Sequence, residues 1–420
     1  IFSGSAGVNL KGRKIEVMRP QNQSSLGTLI PAKEILIGFQ AGSSLEGRRW
    51  STQSFANLAD MLIEKTDARI IMLGVESESK VAEEVISLTK NKDRISNFTG
   101  KTNLSQLAGL LEECEYLVTN DTGTMHLAAA VGTKIVGLFF AHAHPYETAP
   151  FSPGHLIFQA RISCAPCSYG VHCNNIVCVD KVRPQHIFSV IENHIQTQSW
   201  VLPETINQDS EVNVFETEFD FNMNFRLRSL VRHRLEMNDL LRSGYTILWR
   251  EILEEINNVD SFSINGVCEN LVREYDCSDV EMIDDKLKNK YLILQDISKR
   301  AYEGQKLCGE IIKGSSGSKE NFKIIGHFGE KITGIDKEIE VLGLSNPEVK
   351  PLTDMFSKRK ENVEGNNICF MAIETRKCYN DLIAECEKLR EILKSCVRKL
   401  SDLQSFYISH NSINVAVPGR

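Results

Sequence analysis

The chain lacks several features that would place it in common functional classes. No uninterrupted apolar stretch approaches the roughly 18 residues of a membrane-spanning helix, so the sequence predicts no transmembrane segment. Residues 1–30 mix Gly, Ser, Lys and Arg without the apolar core of a secretory signal. No G-x-G-x-x-G follows the first predicted strand, which disfavours a dinucleotide-dependent dehydrogenase. No Asp-x-Asp element occurs, and we expect no catalytic metal.

Composition and charge narrow the class further. A length of 420 residues predicts two or three domains with ample core, and 42% apolar with 25% charged residues is ordinary for a soluble protein. A net charge of −7 disfavours electrostatic binding of nucleic acid. Twelve scattered cysteines are typical of cytosolic thiols rather than of a disulfide framework. The sequence therefore predicts a cytoplasmic protein that binds no nucleic acid.

Composition and the spacing of apolar residues along the chain predict three regions. Residues 1–34 are rich in Gly, Ser, Asn and Gln and resemble a linker or the remnant of a preceding domain. Over 35–197, strand and helix patterns alternate, which predicts an α/β fold with a doubly wound, Rossmann-like parallel sheet. Over 198–420 we expect a mostly α-helical accessory domain, entered through an acidic linker at 204–220. Its long helical patterns cover 226–257, 284–312 and 376–407.

The helical pattern over 376–407 carries a heptad seam. Apolar or thiol side chains recur at spacings that alternate between 4 and 3. They are Leu382, Cys386, Leu389, Leu393, Cys396, Leu400, Leu403 and Tyr407. Two interpretations remain open: the core helix of a bundle, or a coiled coil through which copies of the chain form a homo-oligomer.

Residues 115–139 carry the most functional information. They show a strand, a polar turn (Asn120-Asp121-Thr122-Gly123-Thr124), a small-residue helix and a second strand. Such a crossover builds a parallel sheet, and its turn lies at the carboxyl end of a strand, where open α/β sheets bind ligands. Gly123 permits close approach of the backbone, and the free N–H groups of a helix start suit a phosphate. The alternative is an ordinary Asp/Thr N-cap.

Residues 121–132, DTGTMHLAAAVG, resemble the nucleotide-sugar-binding signature of the heptosyltransferases, glycosyltransferase family 9. Three more landmarks of that family occur upstream in the expected order, and ordered motifs are a stronger signal than one turn. They are QAGSS at 40–44 followed by RRW at 48–50, GVESE at 74–78, and GKT at 100–102. The resemblance covers about residues 35–197 and implies one half of a GT-B-type glycosyltransferase.

The resemblance also implies which residues bind the sugar donor. Arg48 stands in the place of a phosphate-binding Lys, and an Arg fork can grip a diphosphate bidentately. Glu78 matches a ribose-binding acid, with Glu76 as the nearby alternative. The full implied set is Ser43, Arg48, Arg49, Glu78, Lys101, Thr102, Asp121, Thr122, Gly123, Thr124 and His126. By themselves these residues also fit a solvated Arg pair, an acid that partners a helix dipole, and a packed histidine.

The catalytic residues stay unknown at this stage. Sugar transfer needs a base for the acceptor hydroxyl, and in the family a separate N-terminal half binds the acceptor and supplies an Asp. Only residues 1–34 precede the recognised region, so we expect that this half is missing from the chain or lies upstream of it. The alternative function is a non-catalytic nucleotide-binding or scaffold module whose helical tail mediates assembly.

The partners follow from the resemblance. It implies an ADP-heptose-like nucleotide sugar, and a glycan or protein acceptor, at a cytoplasmic or peripheral inner-membrane location. The helical tail mildly favours a protein acceptor. Residues 140–145, FAHAHP, depart from the small polar residues that border the sugar in the family. That departure suggests either a different donor sugar or a site that is no longer in catalytic use.

Four cysteines lie close together in the sequence at Cys164, Cys167, Cys173 and Cys178. One C-x-x-C knuckle with two further thiols could close a tetrahedral site for structural zinc or iron, with His172 as an outside candidate ligand. Family members often carry cysteines here, and protein-modifying relatives have an iron-bearing finger. The gaps are short for a zinc ribbon, so free thiols and a disulfide stay open as alternatives.

Overall fold

The computed structural model describes residues 34–167, 173, 175–207, 211–220, 225–253, 261–315, 321–365 and 367–411. Most of the predicted linker over 1–34 therefore lies outside the described residues. The chain divides into two compact units, Ile1–Arg232 and His233–Arg420. The division lies later in the chain than the boundary expected at residue 197.

The N-terminal unit is built on one eight-stranded sheet with the order β3-β2-β1-β4-β5-β6-β7-β8. Neighbouring strands from β3 to β6 are parallel, whereas β7 runs antiparallel to β6 and β8 antiparallel to β7. The strands are β1 Leu36–Gln40, β2 Arg69–Met72, β3 Ile95–Asn97, β4 Tyr116–Asn120, β5 Lys134–Phe139, β6 Leu156–Ala160, β7 Val212–Phe219 and β8 Phe225–Ser229. The predicted doubly wound parallel sheet is confirmed, and two antiparallel strands extend it.

Helices cover both faces of this sheet. Those of the unit are α1 Thr52–Thr66, α2 Ser79–Leu88, α3 Leu104–Glu113, α4 Gly123–Val131, α5 Pro145–Thr148, α6 Pro184–Thr197 and α7 Glu204–Asn207. Helices α1, α2 and α6 bury apolar side chains in the core of one face, and α3 and α4 in the core of the other. The chain therefore changes faces between the connections that follow β1 and β4. Because β1 and β4 are neighbours, their carboxyl ends form the topological switch point of the sheet.

Strands β7 and β8 correct the sequence analysis, which expected an acidic linker over 204–220 and a helix from residue 226. Within β7, Val212 and Val214 face the core at the period of two expected for a strand. Its acidic side chains are paired instead of solvated. Their cross-strand partners come from β8, in the ion pairs Glu218–Arg226, Glu216–Arg228 and Glu218–Arg228. Such cross-strand pairs are typical stabilising contacts of a hairpin.

The C-terminal unit is helical. Its described helices are α8 Met237–Leu253, α9 Ser261–Glu274, α10 Val280–Gly314, α11 Asn321–Ser345, α12 Lys350–Glu361 and α13 Ile368–Asn411. Within the ranges that the structure describes, no helix is long and apolar enough to cross a membrane. The helices expected over 284–312 and 376–407 correspond to α10 and α13. The helix expected over 226–257 begins only at Met237.

The heptad seam of α13 lies inside this unit. Its side chains from Leu382 to Leu400 are buried in one apolar core, which also includes Leu287 and Leu294 of α10. The side chain of Tyr407 lies outside the described part of the helix. The observed packing is that of the bundle-core interpretation. A coiled coil between copies through the same seam would require the bundle to open, because the described seam residues are already buried in its core. Homo-oligomer formation therefore stays a prediction.

A buried histidine makes the stability of the N-terminal unit depend on pH. The Nδ1 atom of His155 lies 3.3 Å from the Ile135 backbone nitrogen, and its Nε2 atom lies 2.6 Å from Ser152 Oγ. Burial, and then the charge of Lys134, lowers the pKa of His155 to about 4. In the unfolded chain the pKa of a histidine is about 6.5. Stabilisation is thus complete above about pH 6.5 and is lost as the pH falls towards 4.

We expect acidification from pH 7 to pH 5 to lower the free energy of unfolding through His155 by about 1–2 kcal/mol. Urea denaturation of the wild type and of His155→Asn at both pH values measures this contribution. The His155→Asn variant, which has no titrating ring, should show a correspondingly smaller loss. Equal losses in the two proteins would contradict the assignment.

Candidate functional site

The two loops at the switch point meet through Arg48 and Asp121. Arg48 lies at the end of a short 3₁₀ turn (Glu46–Arg48) after β1, and Asp121 directly follows β4. The Arg48 Nη2 group donates to the carboxylate of Asp121 and to its backbone oxygen over 2.9 Å. Thr148 Oγ1, from α5, donates to the same carboxylate over 3.0 Å. The sequence analysis assigned both charged residues to a ligand, whereas in the structure they are also partners of each other.

This ion pair is largely removed from water. The Asp121 side chain is 7% exposed and the Arg48 side chain 18%. Arg48 Nε is buried and makes no hydrogen bond to any residue that the structure describes. A guanidinium has five N–H donors, and the exposed part of the Arg48 side chain leaves room for a ligand to accept from donors that Asp121 does not use.

The other basic residue of the loop is turned inward. Arg49 donates through Nε and Nη2 to the backbone oxygen of Ser43 over 2.8 and 2.6 Å. The next residue, Trp50, is buried and donates from its indole nitrogen to the Val182 oxygen over 2.8 Å. In the structure Arg49 and Ser43 therefore shape the loop that presents Arg48.

Helix α4 begins beside the Arg48–Asp121 pair. Its N-cap residue, Thr122, makes no side-chain capping bond, so the first N–H groups of the helix keep their capacity to donate. Gly123 is exposed, and a Cβ atom added there would meet no heavy atom within 4 Å, so the start of the helix is open to an incoming group. His126 lies one turn further and is half-buried. Free N–H groups beside a guanidinium form an arrangement that suits phosphate oxygens.

A second group of residues lies at the end of β2. Glu78 closes a 3₁₀ turn (Glu76–Glu78), and its Oε2 atom accepts from the Val75 backbone nitrogen over 3.0 Å and from Gln40 Nε2 over 2.9 Å. Glu76, the alternative acid, lies against Gly100, where an added Cβ would stand 1.9 Å from the Glu76 carboxylate. Of the two acids, Glu78 is thus the one bonded to the carboxyl end of β1.

The loop with the GKT landmark at 100–102, which the resemblance implies in binding the sugar donor, follows β3. Lys101 is exposed and donates from Nζ to the Asn97 backbone oxygen over 2.9 Å. Gly100 donates to the Gly74 oxygen over 2.9 Å and has a positive φ of 72°, which a residue with a side chain adopts only with strain. These bonds place Lys101 and Thr102 next to the Glu76–Glu78 turn.

The cysteine segment packs onto the loop after β5. The Cys167 backbone nitrogen donates to the Ala141 oxygen over 2.8 Å. All four cysteines are free thiols, and burial, then the charges of Cys164, Cys178 and Cys173, raises the pKa of Cys167 above its usual value. In the described part of the chain, no three His, Cys, Asp or Glu side chains are grouped to hold a metal ion.

The role of the thiols accordingly stays a prediction, with structural zinc or iron and free thiols as its alternatives. His172, the outside candidate ligand, lies outside the described residues. The histidines that follow β5 lie on a loop beside the candidate site. The ring of His144 contacts that of Tyr146, with centroids 5.8 Å apart.

The sequence analysis gave no individual role to three polar residues of the site, although Gln40 and Asn120 lie within the motifs it quoted. Thr148 holds Asp121, and Gln40 bonds Glu78. Asn120 is fully buried, donates to the Ala41 oxygen over 2.9 Å and accepts from the Trp50 nitrogen over 3.0 Å. Gln40 and Asn120 end adjacent strands with polar side chains, which is a usable sequence signal. Thr148 carries no such signal because it belongs to a four-residue helix.

Comparison with known proteins gives a match over the same part of the chain. Residues 2–175 match the model of glycosyltransferase family 9 (heptosyltransferase). The chain is 34% identical over 128 residues to lipooligosaccharide heptosyltransferase 2 of Haemophilus influenzae, covering 30% of this chain and 36% of that protein. It is 31% identical over 134 residues to lipopolysaccharide heptosyltransferase 2 of Escherichia coli, covering 31% and 37%. The chain thus spans about a third of the length of the curated relatives it matches.

Two solved heptosyltransferase structures align with part of this chain. ADP-heptose lps heptosyltransferase II of E. coli aligns at 24% identity and a TM-score of 0.36, covering 43% of this chain and 54% of that one. The iron-containing dodecameric heptosyltransferase TibC, in complex with ADP-D-beta-D-heptose, aligns at 12% identity and a TM-score of 0.32, covering 44% and 49%.

The family match begins at residue 2 and so includes most of the segment predicted as a linker or domain remnant. It also contains every residue implied to bind the sugar donor. The resemblance drawn from the sequence is confirmed as a match of residues 2–175 to the model of glycosyltransferase family 9 (heptosyltransferase), with curated heptosyltransferase 2 relatives at 31–34% identity.

Proposed function

We propose that the N-terminal unit binds the nucleoside diphosphate of an activated sugar at the switch point and forms the sugar-donor half of a glycosyl-transfer site. The observation that carries the proposal is the position of Arg48. Its guanidinium is held by Asp121 next to the uncapped start of α4, and its Nε atom is buried without a partner in the described structure. Both groups lie at the carboxyl end of β4, where Arg48 contacts Asp121 and α4 begins directly after Thr122.

The leaving diphosphate is the group that this arrangement suits best. Phosphate oxygens accept from Arg48 and from the first N–H groups of α4, and the helix dipole adds favourable potential. Asp121 fixes the direction of the guanidinium and offsets part of its charge. The developing charge on a departing nucleoside diphosphate would therefore meet preorganised donors, which is the main electrostatic requirement of the reaction. We assign the neutralisation of the diphosphate to these groups rather than to a catalytic metal.

The nucleoside is assigned to the neighbouring loops. Glu78 offers a carboxylate to ribose hydroxyls, and the 100–102 loop lies beside it for the base. The curated relatives are named as heptosyltransferases, and TibC is described in complex with ADP-D-beta-D-heptose. An ADP-heptose-like sugar donor is therefore our proposal for this chain. For the acceptor we propose a glycan or a protein, of which the helical C-terminal unit favours the protein.

The first test is nucleotide binding with and without Arg48. We expect the chain to bind ADP with micromolar to millimolar affinity, as one half of a site, and Arg48→Ala to weaken it about 10- to 100-fold through loss of a charge-assisted contact. Isothermal titration calorimetry with ADP, GDP and UDP measures both.

Arg94→Ala is the matched control for this test. Arg94 immediately precedes β3, at the opposite edge of the sheet, where it pairs with Glu34 and Asp67. Its replacement should leave the affinity for ADP unchanged. If none of the three nucleotides binds at millimolar concentration, the proposed function is wrong.

A further inference from the structure

The side chain of Gln40 connects the phosphate side of the candidate site to the ribose side. Its Nε2 atom donates to Glu78 Oε2 over 2.9 Å, and its Oε1 atom accepts from Thr124 Oγ1 over 3.3 Å. Gln40 is the last residue of β1 and is 2% exposed. A buried amide that bonds to both Glu78 and Thr124 fixes the Glu76–Glu78 turn relative to the start of α4.

The chemistry of its neighbours sets the orientation of this amide. An ionised carboxylate can only accept hydrogen bonds, so the nitrogen of Gln40, and not its oxygen, must face Glu78. The oxygen then faces Thr124, whose hydroxyl can donate to it. If the amide were reversed, the Gln40 oxygen would face the Glu78 carboxylate, and two hydrogen-bond acceptors would then lie against each other. Thr124 and Glu78 therefore hold Gln40 in one state.

Glu78 is in turn held in one position. Its Oε2 atom accepts from both Gln40 and the Val75 backbone nitrogen, whereas no described residue donates to Oε1. The carboxylate lies between two glycines, since an added Cβ would stand 2.2 Å from the Glu78 carboxylate at Gly42 and 2.6 Å from it at Gly74. One oxygen is thus used by the protein, and the other keeps its lone pairs for a ligand.

We propose that Gln40 is a positioning residue, which holds the Glu78 carboxylate so that its Oε1 atom accepts from the ribose diol of the bound nucleotide. The inference rests on the proposed function. It adds a residue that does not touch the ligand and whose effect depends on the presence of the diol. The bond from Gln40 is charge-assisted and partly buried, and such bonds contribute more than those on an open surface.

The test compares two ligands that differ only in the diol. We expect Gln40→Leu, which keeps the size of the side chain but removes its donor, to weaken ADP binding about tenfold. Binding of 2′,3′-dideoxy-ADP should change less than about twofold, because that ligand makes no bond to Glu78. In a Glu78→Ala background the same Gln40→Leu change should have no further effect on ADP, since the two residues act as one unit. Calorimetry measures all six affinities.

The control is Gln53→Leu. Gln53 is an exposed glutamine of α1 that bonds only Asn57 among the described residues, and its replacement should leave both ligands unaffected. If Gln40→Leu does not fold, Gln40→Met takes its place. That variant also removes the amide donor while keeping a side chain of similar size, and it should weaken ADP about tenfold with little effect on the dideoxy ligand.

The two possible failures are distinct. Wild-type protein that binds no ADP overturns the proposed function itself. Wild-type binding combined with equal losses for ADP and dideoxy-ADP, or with no loss in either, overturns the role of Gln40 and leaves the proposed function standing.

Discussion

Replacing Asp121 with alanine is expected to lower the free energy of unfolding of the N-terminal unit by about 3 kcal/mol. The reason is the guanidinium that remains. Arg48 keeps 18% of its side-chain surface in water, and Asp121 supplies both of its hydrogen-bond acceptors in the described structure, one of them the carboxylate. Removal of one member of a buried ion pair leaves the other charge desolvated without compensation. Urea denaturation followed by circular dichroism and tryptophan fluorescence measures the change.

Two comparison variants test whether the destabilisation comes from breaking a buried ion pair or would follow the removal of any paired carboxylate. Asp67 pairs with Arg94 but is 87% exposed, so Asp67→Ala should cost less than about 1 kcal/mol. The double change Arg48→Met with Asp121→Ala removes both charges and should recover part of the loss. If Asp121→Ala unfolds at the same denaturant concentration as the wild type, the pair is solvated and our account of Arg48 is wrong.

The meeting of these two residues could be predicted only in part from the sequence. Arg48 and Asp121 each follow a predicted strand, and carboxyl ends of parallel strands share one edge of a sheet. Their common location therefore follows from the order of elements. That they pair with each other does not, because side-chain direction depends on how the chain turns after each strand. Arg49, equally basic and adjacent, turns the other way and bonds Ser43.

The hairpin of β7 and β8 shows that composition alone does not tell a linker from a strand whose charges are paired. Acidic residues near 204–220 resemble a solvated linker when they are counted without their partners. Those partners, Arg226 and Arg228, are brought opposite the acidic residues by the antiparallel pairing of β7 with β8. The alternation of Val212 and Val214 with polar residues was the available signal for a strand.

The seam of α13 illustrates the converse limit. Its spacing predicts a long helix with one buried face, and Leu389 and Leu393 are indeed fully buried. A heptad pattern indicates that the apolar face of a helix is buried, but it does not indicate which element packs against that face. Here the covering side chains include Leu287 and Leu294 of α10, about a hundred residues earlier in the chain. That choice depends on packing that no local pattern records.

The largest expected effect concerns turnover. We expect this chain alone to bind an ADP-sugar without transferring the sugar at ordinary enzyme rates, because removal of the acceptor proton by a positioned base contributes about 10²–10⁴-fold. At the described switch point, Asp121 is engaged by Arg48 and Thr148, and Glu78 by Gln40. Asp121 is thus committed to the protein, and the remaining oxygen of Glu78 is assigned to the ribose, so neither carboxylate is assigned as the base. Incubation with labelled ADP-heptose and candidate glycan and protein acceptors, followed by chromatography, measures transfer.

Slow hydrolysis of the sugar donor is expected to survive, since Arg48 and the start of α4 still stabilise the departing diphosphate. Arg48→Ala should lower this residual hydrolysis, while the distant Arg94→Ala should not. A full-length lipopolysaccharide heptosyltransferase 2 serves as the positive control for the sugar donor and the acceptors. Binding without any hydrolysis would favour a nucleotide-binding module over half of a transferase. Transfer at about 1 s⁻¹ or faster would contradict the prediction and would mean that a carboxylate outside this edge of the sheet acts as the base.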